Sequence, residues 1–285
     1  RSTDPNYFSM IPTNPGLDLT KPNFDTSKSD TRGWLPPYGN VFKINVVKAK
    51  AFKSNMIASR TKTRSYIIDP LLEARFNFPV ISISTDEGNL FDNDTGIYVY
   101  GNVRPNDPFF EGNYSYNSDE WARNIYLEYF EKDGSLAFDR YVKGEMNGNG
   151  GRHAPQKSIR LSSRSIEGRE LFKYKFFDEK EIAVFDKLVL RNGGHRPDCF
   201  PRDNLGDRIC EGLKLEVPNY KLVTVFIDGE YWGIQCIKER FDDAYFQYNY
   251  NIKSENFVMV ELKGTLTEGN EGDEDSYLQL VDFVS

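Results

Sequence analysis

Two Asp-Gly turns, each set between alternating β-branched and aromatic runs, constrain this chain more than any other feature. Residues 125–130 and 136–143 flank Glu131-Lys132-Asp133-Gly134, and residues 222–227 and 231–237 flank Asp228-Gly229-Glu230. Asp-Gly readily adopts the positive-φ conformations of a tight hairpin, so both pairs predict antiparallel strands. The second pair is apolar enough to lie centrally in a sheet. Residues 41–52 and 63–68, separated by Lys53-Ser54-Asn55, predict a third hairpin. Single strands are expected over 78–84, 96–100, 156–161 and 185–190.

Helices are fewer. Residues 202–213 carry Leu205, Ile209 and Leu213 at i, i+4 and i+8, which predicts a helix with one apolar face. Shorter helices are expected over 242–250 and 276–284. Residues 1–40 are dense in Pro, Asn, Asp, Thr and Ser and read as loops, with one strand near Tyr7 to Met10. The organisation is therefore α+β: a β-rich module over 1–75, then a mostly antiparallel sheet with few helices over 76–285.

Composition narrows the function classes. With 36 Lys plus Arg against 43 Asp plus Glu, the net charge is −7, which excludes a general nucleic-acid binder while leaving room for a local basic groove. At 39% hydrophobic and 14% aromatic the chain is too apolar for disorder, despite a mean hydropathy of −0.60. No run reaches the roughly 20 apolar residues of a membrane span. Arg1 at the start, with no signal-peptide pattern, predicts a piece of a longer precursor. Cys199, Cys210 and Cys236 encode neither a disulfide framework nor a zinc ribbon, and His153 and His195 add no ligand pair with metal spacing, so no metal site is expected.

The stretch with most chemistry is Asn147-Gly148-Asn149-Gly150-Gly151-Arg152-His153, running into a strand with Lys157 near its start. Glycines let backbone amides approach phosphate oxygens, and the basic residues after them supply counter-charge. The same glycines also serve as a plain β connection. On a strand, Lys157 shares the apolar face with Ile159 and Leu161, while Ser158 and Arg160 take the other. An inward ammonium needs a carboxylate or a ligand phosphate, unless it sits at the strand end and reaches water. A second glycine loop follows Arg191-Asn192, and Lys238-Glu239-Arg240-Phe241-Asp242-Asp243 reads as a solvated strand exit or a hinge beside a ligand. Asp92-Asn93-Asp94-Thr95-Gly96 lacks the spacing of a calcium loop.

The order of Pro79-Val80-Ile81-Ser82-Ile83-Ser84-Thr85, Asn89-Leu90-Phe91-Asp92, Thr95-Gly96-Ile97-Tyr98-Val99, the 148–161 segment, Leu190-Arg191-Asn192-Gly193-Gly194, Arg202-Asp203, Asp228-Gly229-Glu230-Tyr231-Trp232-Gly233-Ile234 and Glu239-Arg240-Phe241-Asp242 resembles the CotH family, the spore-coat protein H kinases, over about residues 76–285. Residues 41–68 resemble the last strands of a chitobiase-type C-terminal β-sandwich.

The resemblance implies an atypical protein kinase N-lobe that binds ATP with Mg and phosphorylates Ser or Thr of surface or coat proteins. It implies a nucleotide site of Gly148, Gly150, Gly151, Arg152, Lys157, Glu211 and Glu239, with Glu211 as helix carboxylate to Lys157 and Glu239 opening the hinge. Kinase catalytic acids lie in the C-lobe, and only some 43 residues follow Asp242, so catalytic residues are expected beyond residue 285 and the chain is expected to be inactive alone. The family and the sandwich imply a secreted or cell-surface protein, with lipid anchoring through a missing N-terminal segment as one form of that location. The alternative is a non-catalytic adhesion or carbohydrate-binding protein that presents Tyr98, Tyr100, Tyr114 and Tyr116 to surface glycans.

Overall fold

The computed structural model describes residues 42–69, 75–103, 112–116, 118–154, 156–193, 202–210, 212–261 and 264–284. The expected strand near Tyr7, the expected loops of 1–40, residue 41 of the first expected hairpin strand, and Glu211, His195 and Cys199 lie outside the described residues.

The fold is mixed and strand-rich, with few helices. In chain order the strands are β1 (Asn45–Ala49), β2 (Lys62–Tyr66), β3 (Val80–Thr85), β4 (Arg123–Phe130), β5 (Leu136–Asn147), β6 (Ser158–Ser162), β7 (Arg164–Ser165), β8 (Gly168–Arg169), β9 (Phe172–Lys173), β10 (Val184–Phe185), β11 (Lys187–Arg191), β12 (Tyr220–Ile227), β13 (Glu230–Glu239), β14 (Met259–Glu261) and β15 (Thr265–Glu268). The helices are α1 (Glu87–Phe91), α2 (Arg202–Cys210), α3 (Asp243–Tyr250) and α4 (Asp275–Val284). All three hairpins expected from the sequence form: β4 pairs with β5, β12 with β13, and β1 with β2, each antiparallel.

Long-range pairing closes the sheet. Strands run β11-β13-β12-β3-β4-β5-β6 and return to β11, giving a barrel in which every junction is antiparallel except β3 with β12. Period-two alternation fills the interior with Ile81, Ile83, Ile125, Leu127, Val142, Ile159, Leu161, Leu188, Leu190 and Ile237, all buried. Each large aliphatic side chain removed from water contributes about 1.5–3 kcal/mol. Strand β3 is buried along its whole length because its outer face is covered too: Ser82 Oγ meets Ser65 Oγ of β2 at 2.8 Å.

The β1–β2 hairpin is docked on the barrel by polar groups. Ser65 N donates to both carboxylate oxygens of Glu128 on β4 at 3.0 Å, Lys43 pairs with Glu230 at 2.9 Å, and Ile44 N donates to Gly229 O at 2.8 Å. Around that seam Ile44, Phe76, Val80, Phe130 and Phe226 form a second apolar cluster.

Two expectations are corrected. Residues 96–100 are no strand, because their amides are taken by the α1 region: Gly96 N donates to Asp92 O, Ile97 N to Asn89 O and Tyr98 N to Leu90 O, at 2.8–3.1 Å. A Cβ on Gly96 would stand 2.4 Å from Asp92 O, so only glycine permits this return. Helix α2 ends at Cys210, and its apolar stripe faces out, with Leu205, Ile209 and Leu213 each more than half exposed. Its seated side is polar instead: Asn204 is buried and donates to Cys236 Sγ at 2.6 Å, while Asp203 and Asp207 pair with Arg191 and Lys238.

Candidate functional site

The glycine turn sits between β5 and β6. Gly148 takes φ +99°, and residues 150–153 form one 3-10 turn in which Arg152 N donates to Asn149 O at 3.0 Å. Lys157 points into the barrel end, as the alternation requires, and is buried. Its ammonium donates to the carbonyls of Arg152 and Ala154 at 2.7 and 2.9 Å and lies 3.9 Å from the centroid of the Tyr114 ring. These contacts make Lys157 the clamp of the glycine turn. Arg152 is also buried, its guanidinium donating to Ser115 O, and burial lowers its pKa.

Around Lys157 lies a closed polar network. Lys157 N donates to Tyr98 Oη at 2.7 Å, which also accepts Trp232 Nε1 at 2.9 Å, and Gln235 Nε2 donates to Lys157 O at 2.9 Å. Desolvation pushes the Tyr98 phenol far above its usual pKa, so it stays neutral. Tyr98 and Tyr114 are therefore core residues, and Tyr116 stacks on Trp121 at 4.5 Å. The expectation that Tyr98 and Tyr114 are exposed for sugar stacking is corrected by their burial.

The opposite face of the same strands carries the cavities. Outward residues of β5, β6, β11 and β13 form one wall, and α3, β14 and β15 with their connections form the other. A cavity of about 640 Å³ is lined by Asn147, Val189, Arg191, Lys238, Glu239 and Arg240 on the barrel side, facing Phe246, Phe257, Val258, Met259 and Val260. Its size lies within the range of ligand pockets. A second, larger hollow of about 1180 Å³ adjoins it, with Lys143, Glu145, Arg160, Lys187 and Arg240 on the barrel side. Arg240 and Phe257 line both.

Ion pairs organise this cleft. Arg160 grips Glu145 through two contacts, Nε to Oε1 at 2.7 Å and Nη2 to Oε2 at 2.6 Å. Lys187 pairs with Asp242 at 3.0 Å, and Asp242 caps α3 by accepting Tyr245 N at 2.9 Å. Glu239 is buried, pairs with Lys180 and accepts Asn219 N at 2.9 Å. Arg191 binds Asp203 of α2 through Nε at 3.0 Å and Nη2 at 2.7 Å, and a Cβ on Gly148 would stand 3.9 Å from Arg191 Nη1. Burial raises the pKa of the Glu268 carboxyl on the rim of the larger hollow.

Residues 145–283 match the family model described as CotH kinase protein. The resemblance to the CotH family read from the order of motifs is supported over this stretch. The matched residues include the glycine turn, Lys157, α2 and every residue that lines the smaller cavity. No curated protein matches the chain.

Among the residues expected at a nucleotide site, Gly148, Gly150, Gly151, Arg152 and Lys157 come together at the barrel end, Glu239 lines the smaller cavity, and Glu211 lies outside the described residues. Two strand-to-helix ion pairs join the barrel to α2, Arg191–Asp203 and Lys238–Asp207. Sequence reasoning leaves Asn147, Arg160, Arg191 and Arg240 out of the site. Alternation is the available signal, because Lys187, Val189 and Arg191 share one face of β11 while Leu188 and Leu190 take the other. What alternation does not tell is which face looks into a cleft.

Proposed function

We propose that this chain is the nucleotide-holding part of a CotH-type protein kinase, with an atypical N-lobe that binds ATP in the smaller cavity for transfer to Ser or Thr of surface or coat proteins. The observation that carries the reading is the composition of that cavity. One wall is apolar and aromatic, through Phe246, Phe257 and Val260, and suits a purine; the other is cationic, through Arg191, Lys238 and Arg240, and suits phosphates. Asn147, directly before the glycine turn, lies at the same rim. Protein kinases pair a strand cation with a helix carboxylate beside the phosphates, and the Arg191–Asp203 pair supports the likeness. In this reading the chain works by positioning and neutralising charge.

Magnesium is a different matter. Among the described residues no group of three or more His, Cys, Asp or Glu is gathered to hold a metal ion. The same reading implies a secreted or cell-surface protein; among the described residues no helix is long and apolar enough to cross a membrane.

Calorimetric titration of Mg-ATP into the 285-residue chain tests the reading. Saturable binding at millimolar concentration or tighter is expected, about −4 kcal/mol or better. Absence of heat up to that concentration would remove the nucleotide assignment.

A further inference from the structure

Arg240 differs in its bonding from its neighbours. Arg160 is satisfied by Glu145, Arg191 by Asp203, and Lys187 by Asp242. Arg240 has no hydrogen bond or ion pair among the described residues, and its Nε is shut away from solvent with no acceptor. Burial depresses its pKa, and the Arg160 guanidinium depresses it further, with Asp242, Glu268 and Glu145 offsetting only part. Holding a partly desolvated cation with open donors beside another cation is unfavourable in the empty protein. Arg240 nevertheless lies at the junction of the two cavities and lines both.

We propose that Arg240 is the phosphate-binding cation of this cleft, its planar fork taking the oxygens of a phosphoanhydride chain that runs from the smaller cavity into the larger one. Arg160 and Lys187 stand on the same wall and add positive potential, although each is tied to a carboxylate. An anion at the junction meets the terminal guanidinium nitrogens, which carry no ion pair among the described residues, and screens the Arg160–Arg240 repulsion, so the ligand offsets part of an unfavourable arrangement. Lys157, by contrast, is saturated by the glycine turn's own carbonyls and faces the other side of the sheet. The inference deepens the nucleotide reading and rests on it for the purine end; recognition of the anion rests on Arg240 itself.

The test titrates Mg-ATP, adenosine and sodium tripolyphosphate into the full chain and into Arg240→Gln and Arg240→Lys, with thermal midpoints recorded without ligand. We expect Arg240→Gln to weaken Mg-ATP and tripolyphosphate at least tenfold and to leave adenosine unchanged. Its midpoint should be equal to or above that of the parent, because an unfavourable buried cation has gone. Arg240→Lys should fall between the two, keeping the charge and losing the fork. Unchanged Mg-ATP affinity in Arg240→Gln overturns the inference and leaves the nucleotide reading standing. Tripolyphosphate binding that needs Arg240, without binding of Mg-ATP or adenosine, keeps the inference and overturns that reading. Absence of binding by all three ligands overturns both. A glutamine variant whose midpoint drops by several degrees, with affinity unrecovered in the lysine variant, marks a merely structural arginine and also overturns the inference.

Discussion

Replacing Asp228 with Asn should stabilise the protein at neutral pH and lose that effect in acid. Asp228 occupies the β12–β13 turn at φ +47°, with its side chain 19% exposed. Desolvation pushes its pKa up from the ordinary 3.8 to about 6, against the Thr85 amide it accepts at 2.9 Å and the Lys48 ammonium 3.8 Å away, both of which pull the other way. A carboxyl whose folded pKa lies above its unfolded one binds its proton more tightly when folded. Its charged form therefore destabilises the fold above about pH 6, and stability is regained as pH falls from 6 towards 4. A tenfold difference in proton affinity between folded and unfolded chain is worth about 1.4 kcal/mol, which sets a ceiling of about 3 kcal/mol here. Partial exposure brings the expectation to about 1–3 kcal/mol.

Asparagine removes the charge and keeps the rest. Its amide oxygen still accepts Thr85 N, and Asn-Gly suits the positive-φ turn as well as Asp-Gly does. The lost contact with half-exposed Lys48 counts for little. Thermal melts from pH 4 to pH 8 should show Asp228→Asn above the parent by roughly 2–10 °C at pH 7.5, with the gap closing below pH 4.5. A gap of the same size at every pH would refute the desolvation argument, and so would a variant less stable at pH 7.5.

Lys157→Met should destabilise the ligand-free chain by about 2–4 kcal/mol, because it leaves the carbonyls of Arg152 and Ala154 without their donor. An unchanged denaturant midpoint would show that Lys157 is not the clamp of the glycine turn. Glu128→Ala should cost a similar ~2–4 kcal/mol by orphaning the buried Ser65 N and removing the nearer anion from Arg64 Nη1, 3.5 Å away, although Arg64 Nη2 keeps Asp139 at 3.2 Å. Hydrogen exchange would report it as lost protection in β1 and β2; protection confined to its original level would contradict polar docking of the hairpin.

Local signals were legible wherever the backbone's own preferences settled the matter. The three hairpins, the strand after the glycine turn and helices α3 and α4 all lie close to where turn residues and alternation put them. Residues 96–100 have strand-like composition but a different set of hydrogen-bond acceptors, and acceptors are a property of neighbours in space. Helix α2 shows the same limit from the other side. Leu205, Ile209 and Leu213 are spaced as a buried stripe, yet Arg191 and Lys238 hold the helix by its aspartates and leave the stripe in solvent.

The candidate site divides in the same way. The sequence by itself determined that a glycine turn runs into a strand with an inward lysine, and that a charged segment follows the last barrel strand. It also carried the order of motifs by which the CotH segment is recognised, since these depend on turn chemistry, side-chain period and residue order. Only the tertiary structure decided that inward, for Lys157, means the interior of a closed barrel, while Arg160, Arg191 and Arg240 share a wall beneath α3 and β14. The reason is physical: alternation gives every strand two faces without labels. Which one becomes core and which becomes cleft is settled by long-range pairing, here the β6–β11 and β3–β12 junctions that close the sheet.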